Sequence, residues 1–345
     1  MDALLVTGTF DENGGKPSYI GQQLAAAIAK NYNTTLINGG YIDQLNVDVT
    51  KFKIILWMPN VSNDLEKILP NIKQVNPKAI LISSKRVIEK EYKESDVIGR
   101  LLKSKSNLGI MITKQEFYNF KLLDPLGNCY CDTRNTNVLA ESMVERINFI
   151  LSLKRVQSKS IGDVREFTID SEFVQFVKHS AEQFTKYVNA VNPNRMLGNA
   201  STRCMFGFPA EKKDNRIFVT QRNIDKQLIE ANGFVEVTNN EEVVEYYGEK
   251  KPSVDTPIQI KLFNYYHNVN YMVHGHVYVD NAKMTEHKIP CGYVEEFDDI
   301  IKLYPDRDTE SMAINLKGHG CILMADTVEG LWNLGEYISR DFPES

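Results

Sequence analysis

Short apolar runs separated by helix-period segments dominate the first part of the chain. Ala3–Thr9, Thr34–Ile37, Lys53–Met58, Ala79–Ser83 and Leu108–Thr113 read as buried strands, because each is a brief run rich in Val, Ile and Leu bounded by polar residues. Between them, Ser18–Lys30 repeats Ile20, Leu24, Ala27 and Ile28 at helical spacing, and Asn63–Gln74 and Ser95–Lys103 are helical in the same way. A last helix covers about Asn137–Leu153, with Leu139, Met143, Ile147 and Ile150 on one face. Strands alternating with helices predict a doubly wound parallel sheet, Rossmann-like or flavodoxin-like, over residues 1–155.

The pattern then breaks. Lys154–Asp163 is polar and basic and reads as a linker. Beyond it, helices are predicted over Ser171–Val191, over Thr256–His267 with Pro257 in the first turn, and from Thr327 onward. Asn194–Arg203 is a turn running into a strand, and further strands fall at Arg216–Thr220, Tyr271–Val279 and Gly320–Ala325. A second domain over 163–345 follows.

Bulk properties narrow the classes. The 345 residues are 42% hydrophobic and 25% charged, as in ordinary globular proteins, and the length suits two domains. A net charge of −5 gives no general pull toward nucleic acid or anionic membrane. No apolar run reaches the ~18 residues of a membrane span, and the N-terminus does not read as a secretory signal. The five cysteines, an odd number without a CxxC pair, read as reduced thiols of a cytoplasmic protein.

Two segments carry candidate chemistry. In Met272-Val273-His274-Gly275-His276-Val277, residues two apart on a strand project from one face, so His274 and His276 can converge on one ion. A third ligand is needed for a catalytic zinc-type site. Among six histidines, His319 is the best partner, flanked by Gly318 and Gly320 at the mouth of a buried strand. The pair alone is equally consistent with two satisfied core histidines. The other segment is the glycine-rich stretch between Thr7 and Ser18. It fits neither GxxxxGK[ST] nor GxGxxG. It reads first as a surface loop with Ser18 as N-cap, and second as a site for a nucleotide or phosphate at the helix N-terminus.

The order of motifs adds a resemblance. Gly198-Asn199-Ala200-Ser201-Thr202-Arg203 resembles the Gly-Asn-(Ile/Ala)-Ser-x-Arg strand of class II aldolase and adducin-like domains. Thr220-Gln221-Arg222-Asn223 stands where that family has Thr-Pro-Ser-Gly, Lys251–Pro257 where it has Glu-Pro-Ser-Ser-Glu, His274-Gly275-His276 for His-Thr-His, and Gly318-His319-Gly320 for Asn-His-Gly. These elements span about 163–336. The resemblance implies an α/β/α domain with a mainly antiparallel sheet. It implies zinc or another divalent metal on His274, His276 and His319, and a homo-oligomer acting on a small sugar phosphate or related carbonyl compound. The implied reaction is that of a carbon–carbon lyase, with epimerase, dehydratase and a non-catalytic adducin-like module as alternatives. A metal with an open position polarises a carbonyl, and a carboxylate beside it moves the proton.

The chain departs from the family at that carboxylate. Asp255 replaces the family's glutamate and is one methylene shorter; its structural alternative is an N-cap of the helix that follows. The phosphate loops differ too: Val254 replaces the second serine, and the Pro and Gly of the turn are lost. Asn199, Ser201 and Ser253 remain as substrate-binding candidates, with Arg222 able to compensate through its affinity for phosphate. His179, His267 and His287 are expected to be surface or helix-end residues, and Tyr293 is not assigned a role.

Overall fold

A computed structural model describes residues 1–8, 18–38, 47–59, 65–87, 94–114, 116–187, 198–203, 216–335 and 337–338. The glycine-rich loop after Thr7 and the Asn194–Leu197 turn lie outside the described residues. The chain forms two compact units, Met1–Ser152 and Leu153–Ser345.

The first unit is built on β1 (Asp2–Gly8), β2 (Asn33–Asn38), β3 (Ile54–Pro59), β4 (Ile80–Val87), β5 (Leu108–Lys114), β6 (Tyr118–Leu123) and β7 (Cys129–Thr133). Its helices are α1 (Tyr19–Ile28), α2 (Leu65–Val75), α3 (Glu94–Ser104) and α4 (Thr136–Ser152). The sheet order is β2-β1-β3-β4-β5-β6-β7. The first five strands are parallel in the 2-1-3-4-5 order of flavodoxin-like sheets. Covered on both faces, their central residues are apolar without alternation: Ala3 to Val6 and Ile54 to Trp57 are all buried. The antiparallel pair β6 and β7 extends the edge and has no counterpart in the sequence reading. β6 buries Phe120, Leu122 and Leu123, whereas β7 at the edge mixes Cys, Tyr, Asp and Thr and is partly exposed. Ser18 accepts from the Gly21 amide at 3.1 Å and is the α1 N-cap.

The second unit contains β8 (Gln157–Gly162), α5 (Ser171–Tyr187), β9 (Asn199–Thr202), β10 (Arg216–Thr220), β11 (Phe234–Thr238), β12 (Val243–Tyr247), α6 (Thr256–Tyr265) and β13 (Tyr271–Gly275). It continues with β14 (Tyr278–Val279), β15 (Lys283–Met284), α7 (Glu296–Leu303), β16 (Ser311–Leu316), β17 (Gly320–Ala325), α8 (Val328–Trp332) and β18 (Tyr337–Ile338). Nine strands form one sheet in the order β15-β16-β17-β13-β9-β10-β11-β12-β8. Pairing is antiparallel except for β15 with β16 and β8 with β12. The segment expected as a linker therefore contributes an edge strand. Its residues are largely exposed, and backbone pairing with β12 holds it without apolar side chains.

Alternation along the central strands divides the interior into two layers. Tyr271, Val273, Cys321, Leu323 and Ala325 pack with Phe173, Phe176, Val177 and Phe184 of α5 and Leu331 of α8. Their neighbours Met272, Ile322 and Met324 pack on the other side with Ile258, Leu262 and Phe263 of α6 and Ile300 of α7. The result is an α/β/α sandwich with a mainly antiparallel sheet.

Two glycines set the approach at the site end of the sheet. β13 stops at Gly275, so His276 lies just past the strand rather than within it. A Cβ on Gly275 would meet the Phe184 ring at 2.1 Å, and one on Gly320, at φ +148°, would meet the Gly275 carbonyl oxygen at 2.0 Å. Overpacking of this kind costs about 1–3 kcal/mol where a side chain can move. Gly275→Ala is expected to lose that much, read from the urea midpoint. Gly320→Ala, opposed by backbone, is expected to lose more.

Candidate metal centre

Three strands meet where the histidines lie. His274 belongs to the last turn of pairing in β13, in register with Asn199 at the start of β9 and with Ile322 of β17. His319 sits one residue before β17. The three residues His274, His276 and His319 are 0–4% exposed, with ring centroids 4.7–5.2 Å apart. One nitrogen from each lies within 4.8 Å of the other two.

The protonation pattern follows from the partners. His274 Nδ1 is 2.9 Å from the Cys321 carbonyl oxygen, which can only accept, so Nδ1 carries the proton and Nε2 the lone pair. Burial pushes this ring down to about 4, and the nearby His319 adds to the effect, so it stays neutral at pH 7. Its Nε2 is buried and meets no hydrogen-bond partner among the described residues. His319 is held from both sides: Nδ1 is 2.8 Å from Glu296 Oε1, and Nε2 is 3.1 Å from Cys291 Sγ. Burial alone would lower the His319 ring, but Cys291 and Glu296 outweigh it and hold it well above the ordinary histidine range. A carboxylate behind a histidine in this way fixes the ring for metal ligation.

Asp255 is 8% exposed at the start of α6, but its side chain makes no capping bond to that helix. Asp255 thus occupies the N-cap position through its backbone carbonyl, which accepts from the Ile258 and Gln259 amides, while its carboxylate points toward Asn199 and His274. Asn199 Nδ2 donates to Oδ2 at 2.9 Å, and the same oxygen lies 4.0 Å from His274 Nε2. Gln259 Nε2 in turn donates to Asn199 Oδ1. Asn199, expected beside a substrate anion, therefore has its Nδ2 on Asp255 and its Oδ1 on Gln259. Asp255 Oδ1 is buried without a hydrogen-bond partner among the described residues.

The remaining expected residues border this group. Ser201 Oγ is buried and meets no partner among the described residues. Ser253 Oγ accepts from the Asp255 amide at 3.4 Å, and Arg222 Nε donates to the Pro252 carbonyl at 3.2 Å. Arg222 is exposed as a residue. Burial lowers its guanidinium, and Asp255 pulls the other way. His287 pairs with Asp299 at 2.9 Å and His179 stacks 4.8 Å from Trp332, both apart from the site.

Cys291, Glu296, Gln259 and Lys226 are absent from the sequence reading of the site. Lys226 is 4% exposed; burial pushes its ammonium down to about 8, while Asp225 and Asp255 pull it back up. The unfolded chain holds that proton more tightly than the folded one. The resulting penalty is fully present below pH 8 and disappears as pH rises through 10.5. Lys226→Met is expected to be more stable than the parent by about 1–3 kcal/mol at pH 7, since each pKa unit is worth about 1.4 kcal/mol. The gain should vanish in urea melts toward pH 10.5. Glu296→Gln should weaken metal binding by roughly 10–100-fold, the usual cost of losing such an outer partner, in a chelator competition.

Residues 193–341 match the model of the Class II Aldolase and Adducin N-terminal domain. None of the curated proteins matches the chain. Among solved structures, an L-fuculose 1-phosphate aldolase is 16% identical, with a TM-score of 0.35, covering 48% of this chain and 81% of that one. The L-fuculose-1-phosphate aldolase from Thermus thermophilus is 12% identical, with a TM-score of 0.31, over 47% and 85%. The DNA/pantothenate metabolism flavoprotein from Streptococcus pneumoniae is similar to the N-terminal region at 13% identity, with a TM-score of 0.36, over 44% and 99%. The residues that match this family model lie within the second unit, Leu153–Ser345.

Proposed function

We propose that the second unit is a divalent-metal-dependent lyase of the class II aldolase type, acting on a small phosphorylated or hydroxylated carbonyl compound. The observation that carries this reading is the buried convergence of three imidazoles, with the His274 lone pair facing inward and meeting no protein donor among the described residues. The donor set fits zinc or a similar borderline ion, for which imidazole is a preferred ligand. When bound, the metal supplies Lewis-acid polarisation of the substrate carbonyl.

The other residues do the positioning and the proton transfer. Glu296 and the Cys321 carbonyl orient His319 and His274. Asn199, itself held by Gln259, fixes one oxygen of Asp255 and leaves Oδ1 to take or give a proton. Ser201 Oγ, Ser253 Oγ and the Arg222 guanidinium form the polar side toward which an anionic substrate end is assigned. The same groups would serve an epimerase or a dehydratase, and a product assay separates these reactions. A homo-oligomer is proposed with this reading.

Elemental analysis of the purified full chain should find about one zinc, or a similar metal, per chain. The His274→Ala/His276→Ala double variant should lose it. No metal in the parent protein after reconstitution would overturn the reading. Asp255→Asn should keep its metal while turnover of a panel of sugar phosphates falls by about 10²–10⁴, the usual worth of a positioned acid/base.

A further inference from the structure

The Cys291 thiol lies on the metal side of His319, where no motif expectation put a ligand. Its Sγ is 3.1 Å from His319 Nε2, the nitrogen that faces away from Glu296. Sγ also forms a cluster with Asp255 and His319 in which every ligand atom lies within 4.8 Å of the others. His319 is common to this cluster and to the three-histidine one. Metal–nitrogen and metal–sulfur bonds are about 2.1 and 2.3 Å, so ligand atoms of one shell sit roughly 3–4 Å apart. The separation of Cys291 and His319 falls in that range.

The loop is shaped for this approach. Gly292 has φ +81°, and a Cβ there would meet the Val254 carbonyl oxygen at 3.1 Å. The backbone carrying Cys291 is thereby laid against the segment that ends in Asp255. A second observation points to a ligand beside this cluster: His274 Nε2, 3% exposed as a residue, and Asp255 Oδ1 are buried without partners among the described residues, and His319 joins the two sets. Asp255 is the less suited fourth donor, because Asn199 already holds the oxygen nearest His274.

We infer that Cys291 is a fourth protein ligand, making a His274/His276/His319/Cys291 centre that selects soft, zinc-like ions over magnesium or manganese, with the substrate carbonyl entering as a fifth ligand. The inference rests on the three-histidine metal site proposed above. As the ion binds, Sγ and His319 Nε2 each release a proton to solvent and bond the same ion, and His319 keeps its Nδ1 proton toward Glu296. A thiolate offsets one of the ion's two positive charges, which three neutral imidazoles cannot do, and its softness disfavours hard cations.

Cobalt(II) added to the metal-free full chain tests this without reference to activity. Visible ligand-field bands report binding to the histidines, and a near-ultraviolet sulfur-to-cobalt charge-transfer band reports a thiolate ligand. Both bands are expected in the parent protein, and only the visible ones in Cys291→Ser. Zinc affinity of that variant should fall by about tenfold or more, while manganese affinity changes little, following ligand softness. Visible bands without the near-ultraviolet band in the parent protein would overturn the fourth ligand and leave the three-histidine site standing. A near-ultraviolet band that survives in Cys291→Ser would overturn it too, by assigning the sulfur to another cysteine. No bound cobalt at all would overturn the three-histidine site and the inference together.

Discussion

Burying three imidazoles at one end of a dry sheet is the constraint on which the rest of this domain depends. Each ring brings two polar nitrogens into an interior where an unmade hydrogen bond costs roughly 1–3 kcal/mol. The outward nitrogens of His274 and His319 are satisfied by a carbonyl of β17 and a carboxylate of α7. Those two contacts orient both rings, and they force α7 and the start of β17 into fixed positions. Asp255 is locked in the same manner, by an amide from β9 that is locked by a glutamine of α6. Each of these elements therefore contributes a polar contact that aims a side chain inward.

How much of this is legible in the sequence depends on how local the signal is. The parallel strands of the first unit announce themselves as apolar runs because both faces are covered. In the second unit, His274-Gly275-His276 and Gly318-His319-Gly320 stand out because the glycines flag backbones that come too close for a Cβ, as Gly275 and Gly320 do. Glu296 and Cys291 carry no such mark. Each touches His319 across 23 and 28 residues of chain, from a helix and a turn of ordinary composition. Lys226 carries no sequence mark of its burial either. The linker that proves to be β8 misleads for the opposite reason: an edge strand draws its stability from backbone pairing, which leaves no trace in side-chain character.

Lys226 and the ring of partnerless atoms describe an interior that is not at its stability optimum. Ser201 Oγ, Asp255 Oδ1, Gln259 Oε1 and His274 Nε2 are all buried without hydrogen-bond partners among the described residues. A core selected only for folding would replace them with apolar groups of the same shape. Departures from local optimality that cluster in one place mark a functional site.

The order of strands in the second sheet bears on how such a site comes into being. β13 is flanked by β9, which precedes it by more than fifty residues, and by β17, which follows it by more than forty. Neither of these pairings is a hairpin, and non-local pairings close late in folding. The histidines thus come together only when the β16–β17 hairpin pairs with β13. A polypeptide that stops short of His319 cannot build the three-histidine cluster, which belongs to the assembled sheet and to no local segment.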